Sequence, residues 1–323
     1  MGEFLVFIKK MKNHILSKKN NDLILNIDSK TLSKHLKPNS IDFVVFSPPY
    51  WNLRNYNYDG QIGYKQKYED YLNDMVLVVK ECEKVLKDGR FMAINIGTVV
   101  SKDGMRFVSG DFVREFLKVG FIFRKDVIWH KPRGTTKWQR GGTQFSQNPY
   151  PLMFNTNINH EYILIFQKGN LKDKINTELT PKFNRSFIRK MAYSVWDIRP
   201  VNSPKIDEKH VAPYPEELPK RLIQLYTFPG EIVLDPFAGC GTTGKVSKML
   251  GRSSVLIDMS KEYCKLIEKK LSETEFNSDT EDIYTPISAI DDAKEKLEIS
   301  KKEYEKRLKE YHKLTKTDQK KLF

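Results

Sequence analysis

Residues 41–50 read Ile-Asp-Phe-Val-Val-Phe-Ser-Pro-Pro-Tyr, an apolar run that stops at two prolines. The first six residues are β-branched or aromatic apart from one aspartate, which is typical of a strand buried on both faces of a parallel sheet. Pro48 and Pro49 have no backbone N–H for a sheet ladder, so the strand ends before them. The sequence therefore predicts a stiff loop from Ser47 to Tyr50 at the carboxyl end of a strand, where open α/β sheets bind ligands.

Two prolines after a core strand would by themselves indicate only a turn, but a second loop changes that interpretation. Residues 235–242 read Asp-Pro-Phe-Ala-Gly-Cys-Gly-Thr between a predicted strand and a predicted helix. Gly239 and Gly241 can take positive φ and let a ligand approach the backbone, and the helix offers free N–H groups to an anionic group. Asp258 ends the next predicted strand about 20 residues later, where nucleotide-binding folds place an acid for ribose hydroxyls. We interpret this arrangement as a site for an adenosine-like cofactor rather than as a tight turn.

Apolar runs alternate with helical spacings along most of the chain, which predicts an α/β fold with a doubly wound, mostly parallel sheet. Both loops then open on one edge of that sheet, so residues 47–50 and 235–242 can form one site. The predicted strands are 23–27, 41–46, 90–96, 121–129, 160–166, 231–235 and 253–257. The predicted helices are 29–36, 68–86 (closed by Gly89), 111–119 (closed by Gly120), 213–226, 243–250 and 260–271.

Composition narrows the class of protein. The chain has 323 residues and 55 Lys and Arg against 41 Asp and Glu, a net charge of +14 with a pI near 9.4. This charge favours a polyanionic partner, although a Lys- and Asn-rich proteome would account for it as well. Cys82, Cys240 and Cys264 are odd in number and form no CxxC pair, which indicates a reducing compartment, the cytoplasm, and no metal site. No apolar run of about 18 residues occurs, so no membrane span is expected.

Two motifs carry a resemblance to a known family. The Ser-Pro-Pro-Tyr motif at 47–50 and the glycine loop at 235–242 together resemble the S-adenosylmethionine-dependent amino-methyltransferases of restriction–modification systems. The amino-group motif precedes the cofactor motif, as in the circularly permuted β class of that family. The likeness extends over residues 23–168 and 210–272. It implies a Rossmann-like methyltransferase fold that is circularly permuted.

The resemblance implies that the glycine loop binds S-adenosylmethionine. Gly239 and Gly241 would line its methionine and ribose part, and Asp258 would accept protons from the ribose hydroxyls. Cys240 stands where a serine is common and Asp258 where a glutamate is common, and both exchanges are conservative. Asp28, at the end of the first strand, would approach the adenine amine, but it fits a helix N-cap equally well. The predicted cofactor-binding residues are Asp28, Asp235, Pro236, Phe237, Gly239, Cys240, Gly241, Thr242 and Asp258.

The resemblance also implies methyl transfer to an exocyclic amine of a DNA base. Such an amine donates its lone pair into the ring, so the enzyme must hold it near tetrahedral geometry and in line with the methyl group. Ser47 Oγ and the Pro48 carbonyl would accept the amine hydrogens, Tyr50 would stack on the base, and Pro49 completes the predicted catalytic set. The base must flip out of the duplex, and Trp51 would either stack or wedge there or anchor its own loop.

The first motif position predicts the target base. In the family a serine there usually accompanies cytosine N4, whereas aspartate or asparagine accompanies adenine N6. Ser47 therefore predicts N4-cytosine methylation of duplex DNA, with adenine-N6 methylation as the alternative. Protein glutamine methylation, which also uses a Pro-Pro-Tyr loop, is disfavoured by the basic insertion and the motif order. A non-catalytic DNA-binding module would need a degraded glycine loop, and this one is intact.

A DNA-recognition region is predicted inside the catalytic domain. Residues 133–210, which include the sheet strand 160–166, are otherwise basic and irregular. Expected partners are double-stranded DNA and a cognate restriction endonuclease linked in function, and the chain is expected to be a monomer or homodimer. The predicted DNA contacts are Trp51, Arg133, Lys137, Trp138, Arg140 and Gln144. The remaining segments are an N-terminal extension (1–22), catalytic parts 23–132 and 211–272, and a linker with a charged helical tail (273–323).

Overall fold

In the computed structural model of the chain, strands alternate with helices along much of the sequence, and eight of the strands form one sheet. This sheet lies in a unit formed by residues 1–174 and 185–280. In a second unit, residues 175–184 and 281–323, two short strands pair antiparallel. The structure describes residues 22–53, 55, 60–101, 104–132, 158–170, 179–181, 191–201, 214–275 and 284–286.

The bounds of the elements agree with most of the predicted ones. The strands are β1 (Leu23–Leu25), β2 (Ile41–Phe46), β3 (Leu86–Ile96), β4 (Val99–Ser101), β5 (Gly104–Arg106), β6 (Phe121–His130), β7 (His160–Lys168), β8 (Leu179–Pro181), β9 (Val195–Asp197), β10 (Ile232–Asp235), β11 (Ser253–Ile257) and β12 (Tyr284–Pro286). The helices are α1 (Tyr68–Val85), α2 (Val108–Val119), α3 (Glu217–Tyr226), α4 (Thr242–Met249) and α5 (Lys261–Ser272), and Ser29–Lys34 form a 3₁₀-helix.

The strand order explains how two loops that are distant in sequence come together. Across the sheet the order is β1-β11-β10-β2-β3-β7-β6-β9. All neighbours pair parallel except β7, which is antiparallel to both β3 and β6, so the predicted mostly parallel α/β sheet is confirmed. β2 pairs directly with β10, with Phe43 opposite Val233. Because parallel strands end at the same edge of a sheet, the loops after β2 and β10 are neighbours.

Burial of β2 on both faces fixes the position of the loop that follows it. All six of its residues are at most 2% exposed. Val44 and Phe46 belong to the apolar cluster that includes α1 and α2. Phe43 and Val45 belong to the cluster on the other face, which includes residues of α3 and α4. Each fully buried side chain of this size contributes about 1.5–3 kcal/mol to folding, so β2 is held firmly between the two layers.

One predicted helix end needs correction. The sequence predicts that Gly89 closes α1, but the helix ends at Val85, and Leu86 is already extended and begins β3. Gly89 lies inside β3 with a φ of 76°, near a register shift in the pairing of β2 with β3. The physical reason is that Leu86 already pairs with Ile41 of β2, so the chain enters the sheet before it reaches Gly89. Gly120 closes α2 as predicted, with a φ of 109°.

Some elements were not foreseen, and some predicted ones lie outside the described residues. β9 pairs parallel with β6 at the edge of the sheet, within a stretch predicted to be irregular. The charged helical tail lies outside the described residues, which after residue 275 are only those of β12. Among the helices that the structure describes, none has the length and apolar character needed to cross a membrane.

Candidate active site

The Ser-Pro-Pro-Tyr loop lies at the sheet edge where β2 and β10 both end. Its two prolines are buried, whereas Ser47 and Tyr50 are partly exposed. The ring of Phe46, the last residue of β2, lies 5.6 Å from the ring of Phe237 in the glycine loop. The strand that leads into the Ser-Pro-Pro-Tyr loop thus packs against the glycine loop.

The glycine loop has the backbone form that the sequence predicts. Gly239 and Gly241 have φ values of 51° and 79°, in the region that only glycine adopts at little cost. The Gly239 N–H donates to Asp258 Oδ2 at 2.9 Å, and the other carboxylate oxygen accepts from the Ser260 N–H at 2.8 Å. A Cβ on Gly241 would lie 3.0 Å from the side chain of Ile267. Asp258 therefore stands against the glycine loop and bonds its backbone.

Asp235 is buried and anchors the entrance to the glycine loop. Its Oδ1 accepts from the Phe237 N–H at 2.9 Å, and its Oδ2 accepts from the Thr243 hydroxyl and, at 3.3 Å, from the Tyr214 hydroxyl. Burial raises the pKa of Asp235 to about 7, and these three hydrogen bonds oppose that rise. Burial and the nearby Asp235 charge raise the pKa of Tyr214 well above its usual value. Tyr214 and Thr243 were not among the predicted site residues.

Asp28 caps the 3₁₀-helix. Its Oδ1 accepts from the Lys30 N–H at 2.9 Å, and its Oδ2 lies 3.8 Å from Lys30 Nζ. The next residue, Ser29, is buried and donates its hydroxyl hydrogen to the Pro236 carbonyl of the glycine loop. The segment after β1 therefore contacts the cofactor motif through Ser29, while Asp28 itself is the N-cap of the 3₁₀-helix.

The last predicted cofactor residues lie where the loop enters α4. Cys240 and Thr242 are buried, and Cys240 Sγ lies 3.5 Å from Thr242 Oγ1. Gly241 occupies the N-cap position of α4 and brings no capping side chain. The first N–H groups of this helix point toward the glycine loop, where they suit an anionic or polar group.

A polar cluster lies next to the Ser-Pro-Pro-Tyr loop. Glu161 Oε2 accepts from the Tyr50 hydroxyl at 2.8 Å and from Asn95 Nδ2 at 2.7 Å, and Glu161 Oε1 pairs with Lys131 Nζ. Asn95 Nδ2 also lies 3.5 Å from Ser47 Oγ. Burial and the charge of Glu161 raise the pKa of Tyr50 well above its usual value, so it stays a neutral phenol. Sequence reasoning named the loop residues of this cluster and missed the other three.

Trp51 anchors its own loop in this structure. Its indole N–H donates to the Gln66 carbonyl at 2.9 Å, and its ring packs edge-on against Tyr68 at 5.1 Å. This geometry favours the anchoring interpretation over a free stacking residue. The other predicted DNA contacts, Arg133, Lys137, Trp138, Arg140 and Gln144, lie outside the described residues.

Known proteins that resemble this chain in sequence are DNA methyltransferases. The model of the N6/N4 DNA methylase family matches residues 41–269. The type II methyltransferase M.SmaI of Serratia marcescens is 27% identical over 281 residues, which cover 76% of this chain and 88% of the relative. The type II methyltransferase M.MjaI of Methanocaldococcus jannaschii is 31% identical over 208 residues, which cover 60% and 65%.

Solved structures share the fold. The Thermus thermophilus protein TTHA0409, solved in complex with S-adenosyl-L-methionine, is 25% identical with a TM-score of 0.59, over 80% of this chain and 98% of that one. The PvuII DNA methyltransferase, described as cytosine-N4-specific, has a TM-score of 0.57 at 19% identity, over 80% and 95%. At that identity the second likeness concerns the fold alone.

Proposed function

The chain belongs to the N6/N4 DNA methylase family, and we propose that it transfers a methyl group from S-adenosylmethionine to the N4 amine of a flipped-out cytosine in duplex DNA. The order of its two motifs supports a place in the β class of these enzymes. Its type II relatives support a role in a restriction–modification system with a cognate endonuclease. Adenine N6 is the other exocyclic amine that such a site could take.

The position of Ser47 carries this proposal. It heads the Ser-Pro-Pro-Tyr loop and is partly exposed at the end of β2. The strand before it contacts the glycine loop through the rings of Phe46 and Phe237. A hydroxyl in this place accepts one hydrogen bond from an amine while donating its own proton elsewhere, whereas a carboxylate could only accept. In this family a serine here usually accompanies cytosine.

The residues around the glycine loop fit S-adenosylmethionine. Gly239 and Gly241 have no side chain, so a ligand can approach the loop backbone closely. The carboxylate of Asp258 can accept hydrogen bonds from ribose hydroxyls. The carboxylate of Asp258 suits a cofactor that carries a positive charge at sulfur. When bound, the cofactor supplies an electrophilic methyl group on a sulfonium.

The residues of the amino-group loop hold and orient the base. Ser47 Oγ and the Pro48 carbonyl accept hydrogen bonds from the two N–H groups of the amine. These bonds draw the nitrogen lone pair out of conjugation with the ring. Tyr50 offers a face for the flipped base to stack on. The fixed φ of the prolines keeps these groups in place without reorganisation, so positioning and electrostatics supply the rate. No side chain forms a covalent bond to the base.

Digestion of modified DNA to nucleosides tests the target base. The protein is incubated with S-adenosylmethionine and unmodified plasmid DNA, and the nucleosides are analysed by mass spectrometry. We expect N4-methylcytosine to appear with the wild type and to form roughly 100-fold more slowly with Ser47→Ala protein. N6-methyladenine as the sole product would refute the cytosine proposal and establish the adenine alternative.

Cofactor binding is tested separately by calorimetry with two glycine variants. Gly239→Asp places a second carboxylate beside Asp258 and should abolish binding of S-adenosylmethionine. Gly169→Asp is the matched control, because Gly169 also has positive φ (57°) but nothing within 4 Å of its Cβ position. We expect the control to bind as the wild type does. A wild type that binds DNA but not the cofactor would favour a non-catalytic DNA-binding module.

Recognition of the DNA sequence is assigned to residues 133–210. Arg133, Arg140 and Gln144 carry donors that suit base edges in the major groove, and Trp138 offers a flat ring. Methylation-sensitive sequencing of DNA from cells that express the protein would give the recognition sequence. Alanine at Arg140 should relax that sequence at one position, whereas a uniform loss of methylation at all sites would point to a phosphate contact.

A further inference from the structure

Glu161 joins groups from three other segments around the amino-group loop. It stands near the start of β7, opposite Trp129 of β6, and its carboxylate binds Tyr50 and Asn95 through Oε2 and Lys131 through Oε1. Its side chain is 13% exposed and that of Lys131 is 17% exposed. Hydrogen bonds to a carboxylate in so sheltered a place are stronger than those between neutral groups.

The packing around Gly97 shows that this arrangement is close-fitting. A Cβ on Gly97 would lie 3.1 Å from Glu161 Cγ and 3.4 Å from Tyr50 Cε2. The stem of Glu161 and the ring of Tyr50 therefore both rest on the buried backbone that follows β3. Such packing restricts rotation of the Tyr50 ring, and the hydrogen bond from its hydroxyl to Glu161 restricts it further.

The carboxylate also sets the orientation of Asn95. A carboxylate accepts hydrogen bonds only, so the amide must turn its NH₂ group toward Glu161. The same NH₂ group lies 3.5 Å from Ser47 Oγ. Asn95 is 3% exposed, and its Oδ1 is buried with no hydrogen-bond partner among the described residues. Leaving the buried Asn95 Oδ1 without a partner is unfavourable for folding. The bond to Glu161 therefore determines the orientation of the amide.

We propose that Glu161 is a positioning residue for methyl transfer: its carboxylate fixes the ring of Tyr50 and, next to Ser47, the amide of Asn95. Lys131 supplies the opposite charge that makes a carboxylate tolerable in this sheltered place. Glu161 acts through these neighbours. This inference rests on the proposed function, since it assigns Tyr50 to the base and Ser47 to its amine.

The kinetic test compares Glu161→Gln, Tyr50→Phe and the double variant. The single-turnover rate of tritiated methyl transfer to unmodified plasmid DNA is measured, together with the affinity for S-adenosylmethionine. Glu161→Gln should lower the rate roughly 10- to 100-fold and leave cofactor affinity within about twofold. The double variant should lose clearly less than the product of the two single losses, because both changes act on the same hydrogen bond: one removes its donor and the other removes the charge of its acceptor.

Glu115→Gln is the matched control. Glu115 is also ion-paired, to Lys118, but it lies on α2 outside the site. Its variant should keep the wild-type rate. Multiplicative losses in the double variant, or a loss of cofactor affinity as large as the loss of rate, would overturn the positioning role.

A second measurement does not depend on methyl transfer. 3-Fluorotyrosine is introduced at position 50, and its ¹⁹F resonance is recorded in the wild-type, Glu161→Gln and Glu115→Gln backgrounds. We expect the resonance to shift or narrow only with Glu161→Gln. An unchanged resonance would overturn the inference even if DNA is methylated. If the resonance shifts but the protein does not methylate DNA, the result counts against the proposed function. It would still establish that Glu161 fixes the ring of Tyr50.

Discussion

Replacing Gly241 with alanine should destabilise the protein for two separable reasons. The residue has a φ of 79°, a conformation that costs an alanine about 1–2 kcal/mol. The new Cβ would also lie 3.0 Å from Ile267 Cγ1 and 3.2 Å from Cγ2, inside a buried contact between the glycine loop and α5. Overpacking of this kind adds about 1–3 kcal/mol. The expected loss in the free energy of unfolding is therefore about 2–5 kcal/mol.

Urea denaturation of Gly241→Ala, Gly169→Ala and wild type separates these two terms. Gly169 has a φ of 57° and open space at its Cβ position, so its variant reports the backbone cost alone, about 1–2 kcal/mol. We expect Gly241→Ala to be the less stable of the two by at least about 1 kcal/mol and to bind S-adenosylmethionine more weakly. Equal stability of the two variants would show that the loop does not press against Ile267 and would refute the argument.

Three further predictions concern the site. Ser47→Ala should lower the single-turnover methylation rate roughly 100-fold with cofactor affinity unchanged in calorimetry, and a parallel loss of both would assign Ser47 to the cofactor. Burial raises the Asp235 pKa from 3.8 to about 7, so the folded state retains a proton that the unfolded chain loses. Stability should therefore fall as pH rises from about 4 to 7, and urea midpoints of Asp235→Asn should lack that decline. Trp51→Phe loses the bond to Gln66 and should speed hydrogen exchange in peptides spanning 60–67; exchange at the wild-type rate would show that another contact anchors this loop.

The sequence allowed both loops to be placed because the signals were local. The apolar run before Ser47 and the prolines after it determine a buried strand and its end, and β2 has the predicted bounds. Gly239 and Gly241 take the positive φ that their spacing suggests. That these loops share an edge followed from one general property of parallel sheets. It did not require knowing that β10 pairs with β2, which no local pattern reveals.

What local patterns could not reveal is the direction of β7. Glu161 stands at the start of its strand, and in a parallel sheet that position would lie at the edge away from the site. Because β7 runs antiparallel to β3 and β6, its first residues instead lie beside the carboxyl ends of the other strands, where Tyr50 and Asn95 are. An isolated Glu before an apolar run looks the same in either orientation. The acid that orients the predicted active-site loop could thus be identified only from the pairing of strands distant in sequence.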